Sequence, residues 1–244
     1  MAKQVWKWEP SPRWVRVFTN GEKIADSKNV MLMLEGGPDQ NYYFPIEDVN
    51  QELLVESDYT ETSGYKGTKR FWHVDVNGER VENAASTYDA KEKRPDFSGY
   101  IAFDWYKVDK FMEEEEVVKH HPRNPYHRVD TVPSSRHVEV FVDDIKVADT
   151  NRPFMLFETY LPVRYYIPAE DVNSLYLEGS NATSHCPYKG DASYYDLVVG
   201  DARFENTVWY YPEPIPEAPK LKGTLAFWPE KDKRIRILVD GEAA

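Results

Sequence analysis

Cysteine occurs once in 244 residues, as Cys186. One thiol excludes an internal disulfide and any thiolate-rich zinc cage. No apolar run is long enough for a membrane span or a signal-peptide core, the opening Met1-Ala2-Lys3-Gln4-Val5-Trp6-Lys7-Trp8 included. A cytoplasmic protein with no membrane partner is therefore expected, and the sequon Asn181-Ala182-Thr183 carries no weight without a secretion signal. Basic charge is in deficit: 30 Lys and Arg stand against 42 Asp and Glu, a formal net charge of −12. That balance argues against nucleic acid as a partner and is equally what solubility alone would select. Also missing are a glycine-rich phosphate loop, a Ser-His-Asp elbow and any Cys-x-x-Cys pair. His120-His121 with His127 make a poor metal set, because adjacent histidines point apart on a strand and no acidic ligand is spaced with them. No metal site is expected, and the residues leave any cofactor undetermined.

What the chain has in excess is Tyr, 17 residues, and Trp, 7. It also says the same thing twice. Val15-Arg16-Val17-Phe18 returns 123 positions later as Val138-Glu139-Val140-Phe141. At that spacing Ile24-Ala25-Asp26-Ser27 answers Val147-Ala148-Asp149-Thr150. Tyr42-Tyr43-Phe44-Pro45-Ile46-Glu47-Asp48-Val49 answers Tyr165-Tyr166-Ile167-Pro168-Ala169-Glu170-Asp171-Val172. Tyr65-Lys66-Gly67 answers Tyr188-Lys189-Gly190, and Glu82-Asn83 answers Glu205-Asn206. The register slips by one at Gly99-Tyr100-Ile101-Ala102-Phe103, which matches Gly223-Thr224-Leu225-Ala226-Phe227. Copies this long are tandem domains rather than solenoid units.

The apolar period is two. His137-Val138-Glu139-Val140-Phe141-Val142 puts three valines on one face, and Arg234-Ile235-Arg236-Ile237-Leu238-Val239 turns its arginines outward. Asn20-Gly21 and Asn77-Gly78 sit between such runs as hairpin turns. Glu47-Asp48-Val49 and Glu170-Asp171-Val172 follow a proline and predict one helical turn at most. Glu113-Glu114-Glu115-Glu116 could open a short helix, and Tyr210-Tyr211-Pro212-Glu213-Pro214-Ile215-Pro216 must be extended. The expected organisation is a first domain over 1–112, a proline-rich linker over 113–135 and a second domain over 136–244. Both are mainly antiparallel β with few short helices.

The motif Tyr-Tyr-Ile-Pro-x-Glu-Asp-Val, then Cys186-Pro187-Tyr188-Lys189-Gly190, with Ala148-Asp149 upstream and Trp209-x-Tyr211-Pro212 downstream, resembles the family of unknown function DUF427. The resemblance covers nearly the whole chain as two copies. It implies β-tent-like (Mss4-like) domains, similar in fold to methionine sulfoxide reductase B, whose relatives usually carry two Cys-x-x-Cys zinc knuckles. Here packing and hydrogen bonds must replace that metal. The second copy is the closer match: Cys186 stands where the first has Ser63, and Trp209 where it has Ser86.

Each kept residue admits two readings. Cys186 is a candidate nucleophile beside Lys189 or His185, or a small packing residue before a proline. Lys66 and Lys189 either bind an anionic group or anchor a turn. Each is expected within salt-bridge reach of a kept carboxylate, Asp26 or Asp48 for Lys66 and Asp149 or Asp171 for Lys189. Those carboxylates hold a ligand, move a proton or tie loops together. Tyr43, Tyr65, Tyr166 and Tyr188 line a cavity or fill the core. On the active reading, Cys186, Lys189 and Asp171 are the chemical groups. Tyr166, Tyr188, Trp209 and Asp149 are then ligand contacts, with Tyr43, Asp48, Tyr65 and Lys66 in the first copy. The partner would be a small polar or aromatic metabolite, bound or converted. The alternative is a non-catalytic structural or interaction module whose kept residues stabilise the fold.

Overall fold

The computed structural model describes residues 7–35, 40–64, 66–89 and 95–244. The chain divides into two compact units between Asn124 and Pro125. The first contains β1 (Lys7–Pro10), β2 (Val15–Thr19), β3 (Glu22–Ser27), β4 (Met31–Leu34), β5 (Gln40–Pro45) and β6 (Leu54–Ser63). It continues with β7 (Gly67–Val76), β8 (Glu79–Tyr88), β9 (Tyr100–Phe103), β10 (Lys110–Glu113) and β11 (Glu116–Val118). The order β1-β4-β5-β9-β8-β7-β6 makes a seven-stranded sheet, and β11-β10-β2-β3 a four-stranded one.

The second unit contains β12 (Val129–Pro133), β13 (Val138–Val142), β14 (Ile145–Thr150), β15 (Phe154–Glu158), β16 (Arg164–Pro168) and β17 (Leu177–Cys186). After these come β18 (Gly190–Val199), β19 (Ala202–Tyr210), β20 (Thr224–Phe227), β21 (Ile235–Val239) and β22 (Glu242–Ala243). Its sheets run β12-β15-β16-β20-β19-β18-β17 and β14-β13-β21-β22, strand for strand the order of the first unit. Both units are antiparallel β, as the alternating pattern predicts. The helical content of the described residues is single 3-10 turns, among them Ile46–Asp48 and Ala169–Asp171 after the two prolines.

The run Glu113–Glu116 does not open a helix. Glu113 ends β10, Glu116 begins β11, and Glu114 turns between them at φ 48°. Pairing with β2 and the return to β11 give these backbone groups sheet partners, which a short exposed helix would lack. Strands β11 and β12 both fall inside the stretch 113–135 expected as a linker, and the boundary between the units lies between them.

Local chemistry explains the strands. Val138, Val140 and Val142 are all buried in β13, and Ile235, Ile237 and Val239 in β21, with Arg236 exposed between them. Asn20-Gly21 (φ 47° and 79°) and Asn77-Gly78 (φ 53° and 81°) make turns with both residues left-handed, the geometry that matches strand twist. The kept Glu-Asn pairs are also backbone devices. Asn83 and Asn206 adopt φ 52° and 53° where β8 and β19 bulge, a conformation asparagine tolerates. Lys107 Nζ donates to the carbonyls of Glu82 and Asn83, and Lys231 Nζ to those of Glu205 and Asn206.

Each unit has two cores. One lies between the sheets, with Val17, Ile24, Phe44 and Ile101 in the first unit and Val140, Val147, Ile167 and Leu225 in the second. The other covers the outer face of the seven-stranded sheet, with Met33, Tyr43, Tyr88 and Phe97, or Leu156, Tyr166, Tyr211 and Leu221. The long strands serve both. Leu197 of β18 and Val208 of β19 enter the inter-sheet core, whereas Ala192 and Trp209 of the same strands pack on the outer face. No helix among the described residues is long and apolar enough to cross a membrane.

Candidate functional site

The hairpin β17–β18 closes through Cys186-Pro187-Tyr188-Lys189-Gly190. Cys186 pairs with Gly190, and Lys189 N–H donates to the Cys186 carbonyl at 3.2 Å. Gly190 has φ +110°, and a β-carbon there would lie 3.3 Å from both the Glu213 carbonyl oxygen and Ile215 N. The reason is the proline-rich segment. Gly190 bridges Pro214, and Ile215 N–H donates to the Lys189 carbonyl at 3.1 Å, so residues 211–222 lie across the hairpin end as a strap.

Beneath that strap the Lys189 ammonium donates to Glu158 Oε2 at 2.5 Å, and His127 Nε2 lies 3.0 Å from Glu158 Oε1. The side chains of Lys189 and Glu158 are 9% and 6% exposed. The His127 ring stacks on Tyr188 with centroids 4.1 Å apart. Trp209 Nε1 donates to the Tyr166 hydroxyl at 3.0 Å, and Cys186 packs in the same cluster. Burial pushes the phenols of Tyr166 and Tyr211 well above the ordinary tyrosine range, and Glu158 adds to that shift in both. Glu158 ends β15, second in the sheet order, and Lys189 follows β17 at the far edge; the register shifts in β17–β18 and β18–β19 lie between them.

The first unit builds the same pair. Lys66 Nζ donates to Glu35 Oε1 at 2.5 Å and lies 4.7 Å above the Tyr88 ring, with Tyr43 and Tyr88 buried nearby. Burial alone would lower the Lys66 pKa; the Glu35 carboxylate and Tyr88 hydroxyl outweigh it and hold the ammonium above its usual range. Glu35 and Glu158, and Tyr88 and Tyr211, stand at the repeat spacing.

Of the residues singled out by sequence, the structure brings together Tyr166, Cys186, Tyr188, Lys189 and Trp209. Tyr43 and Lys66 occupy the matching places in the first unit, and Tyr65 lies outside the described residues. The expected lysine partners are corrected: Glu158 and Glu35 take the place of Asp149 or Asp171 and of Asp26 or Asp48. Those aspartates serve the other sheet. Asp48 accepts from Ser27 Oγ at 2.6 Å and Asp171 from Thr150 Oγ1 at 2.7 Å, tying the two 3-10 turns to the ends of β3 and β14. Arg152 adds a bidentate pair to Asp171. Asp26 accepts from the Trp14 indole at 2.6 Å, and in the second copy His137 takes the indole's place on Asp149 at 2.8 Å.

His137, Glu139 and Asp149 bring potential ligand atoms within 4.8 Å of one another. A cation already stands among them: Lys146 Nζ lies 2.6 Å from Glu139 Oε1 and 2.7 Å from Asp149 Oδ2. His120 and His121 belong to the first unit and His127 to the second, where it serves Glu158.

The aspartates set a pH dependence. The hydrogen bond from Arg152 holds the Asp171 carboxyl below its usual 3.8, and that from Lys146, joined by His137, does the same for Asp149. A depressed carboxyl contributes stability that is present above its unfolded pKa and is lost as pH falls through the folded value. Thermal unfolding followed from neutral pH down past 3.8 is expected to show a shallower acid limb in Asp149→Asn and Asp171→Asn than in wild type. Parallel limbs would contradict these pairings.

Two copies of one antiparallel β unit, each with a Lys–Glu pair among tyrosines on its outer face, define a tandem-repeat β protein. The profile of a family described as a domain of unknown function, DUF427, matches residues 7–114 and again 130–241, and the chain belongs to that family. A search of curated proteins finds no match.

Proposed function

We propose that the protein binds a small polar or aromatic metabolite at the Lys189–Glu158 cluster of the second unit. The observation that carries this reading is the pair itself, built twice and nearly buried on a face where the fold could use apolar side chains. Replacing a buried ion pair by well-packed hydrophobic residues is often neutral or stabilising, so keeping it in both copies argues for a use beyond stability. Tyr188, Cys186 and His127 are part-exposed around it, which supports access from the hairpin side. The net charge of −12 and the single cysteine support a small ligand over nucleic acid, and a reducing compartment such as the cytoplasm.

A purely structural module is the second reading, favoured by the strap that ties Pro214 to Gly190 over the pair. A metabolite library screened by thermal shift separates the two. On the binding reading, at least one compound stabilises wild type, and Cys186→Ser, which the first copy already carries as Ser63, keeps the fold but alters that shift. Absence of a shift with every compound would favour the structural module.

A further inference from the structure

At one core position of the outer face the first unit replaces a tryptophan by a serine. In the second unit Trp209 pairs in register with Tyr194 across β18–β19, donates its indole N–H to Tyr166 and meets Trp228 edge-on at 6.0 Å. In the first unit the matching strands pair Ser86 with Phe71, and a cavity of about 140 Å³ opens there. Phe71 and Trp105 are among its aromatic walls, and Trp105 is fixed by its indole N–H bond to Asn41 Oδ1 at 2.8 Å.

The lining also carries charge that the second copy lacks. Lys69, where the second copy has buried Ala192, lies two residues before Phe71 and so on the same face. Its ammonium sits 4.6 Å over the Phe71 ring and makes no ion pair among the described residues. Burial lowers its pKa by more than the nearby Glu61 and Asp104 carboxylates raise it, so a further anion beside it would be welcome. Asn83 also lines the cavity, and its buried Oδ1 has no hydrogen-bond partner among the described residues, whereas Asn206 Oδ1 accepts from Ser180. Asp104, on the rim, accepts the Tyr106 N–H at 2.9 Å.

We propose that the cavity over Ser86 is a binding site for a small planar aromatic carboxylate. Its ring takes the place that the Trp209 indole holds in the second unit, and its carboxylate pairs with Lys69 Nζ. This site lies in the first unit and does not depend on the Lys189 cluster.

Calorimetric titration of the full chain with indole-3-acetate, with indole and tryptamine as companions, tests it. Wild type is expected to bind indole-3-acetate more tightly than either companion. Ser86→Trp, which installs the residue of the second copy, is expected to weaken binding by about tenfold or more. Lys69→Met, which leaves the cavity open, is expected to erase the preference for indole-3-acetate over indole while indole still binds. Lys189→Met combined with Glu158→Leu should leave the titration within about twofold of wild type, well under the 1.4 kcal/mol of a tenfold change. The proposal is overturned if wild type shows no binding at millimolar concentration or prefers tryptamine. Unchanged affinity in a folded Ser86→Trp protein would overturn it as well.

Discussion

Lys189→Met is expected to destabilise the second unit by about 3–5 kcal/mol, the cost of breaking a buried ion pair from one side. The substitution strands the Glu158 carboxylate, whose side chain is 6% exposed, against Tyr166 and Tyr211. His127 remains 3.0 Å away but supplies a full charge only when protonated. Replacing both partners, Lys189→Met with Glu158→Leu, removes the charge together with its counter-charge and is expected to recover most of the loss. Chemical denaturation of the single and double variants measures both. A single variant as stable as wild type would mean that the carboxylate is solvated in a way its burial denies.

Gly190→Ala is the second large effect, expected at about 2–4 kcal/mol. Part is the left-handed backbone, φ +110°, which costs an L-residue about 1–2 kcal/mol. The remainder is the strap, because the new β-carbon would stand 3.3 Å from two backbone atoms of residues 213 and 215, which cannot swing aside as a side-chain tip would. Gly241→Ala is the internal control, since Gly241 also has positive φ (+85°) but nothing within 4 Å of the added carbon. The difference between the two variants isolates the strap contact. Faster hydrogen exchange at Ile215 in Gly190→Ala would show that the strap has lifted, because that amide donates across to the Lys189 carbonyl of the hairpin.

Much of the fold was legible because the repeat holds without a gap through its main motifs. Equal spacing fixed equal turns, and the period of two fixed which face each strand buries, as in β13 and β21. The sheet order was not legible, since local patterns do not say which distant strands become neighbours. The lysine partners were missed for that reason. Asp149 and Asp171 lie beside conspicuous motifs, but β14 and its adjoining turn deliver them to the four-stranded sheet. Glu35 and Glu158 stand at the repeat spacing, just where the copies diverge into Gly36-Gly37-Pro38 and Thr159-Tyr160-Leu161, and were easy to pass over. Nothing local to Glu158 announces that a hairpin from the other end of the sheet will bring Lys189 to it. The glutamate–asparagine pairs show the converse: a kept polar motif whose purpose is a left-handed bulge and its lysine cap.

On the function proposed above, the Lys189–Glu158 pair is kept for binding rather than for stability. The most direct test is the ligand-induced thermal shift of the Lys189→Met, Glu158→Leu double variant, read with a compound that stabilises wild type. The expected result is a folded double variant, melting close to wild type, whose shift with that compound is abolished. A double variant that keeps the full shift, or one that cannot fold without the pair, would contradict it.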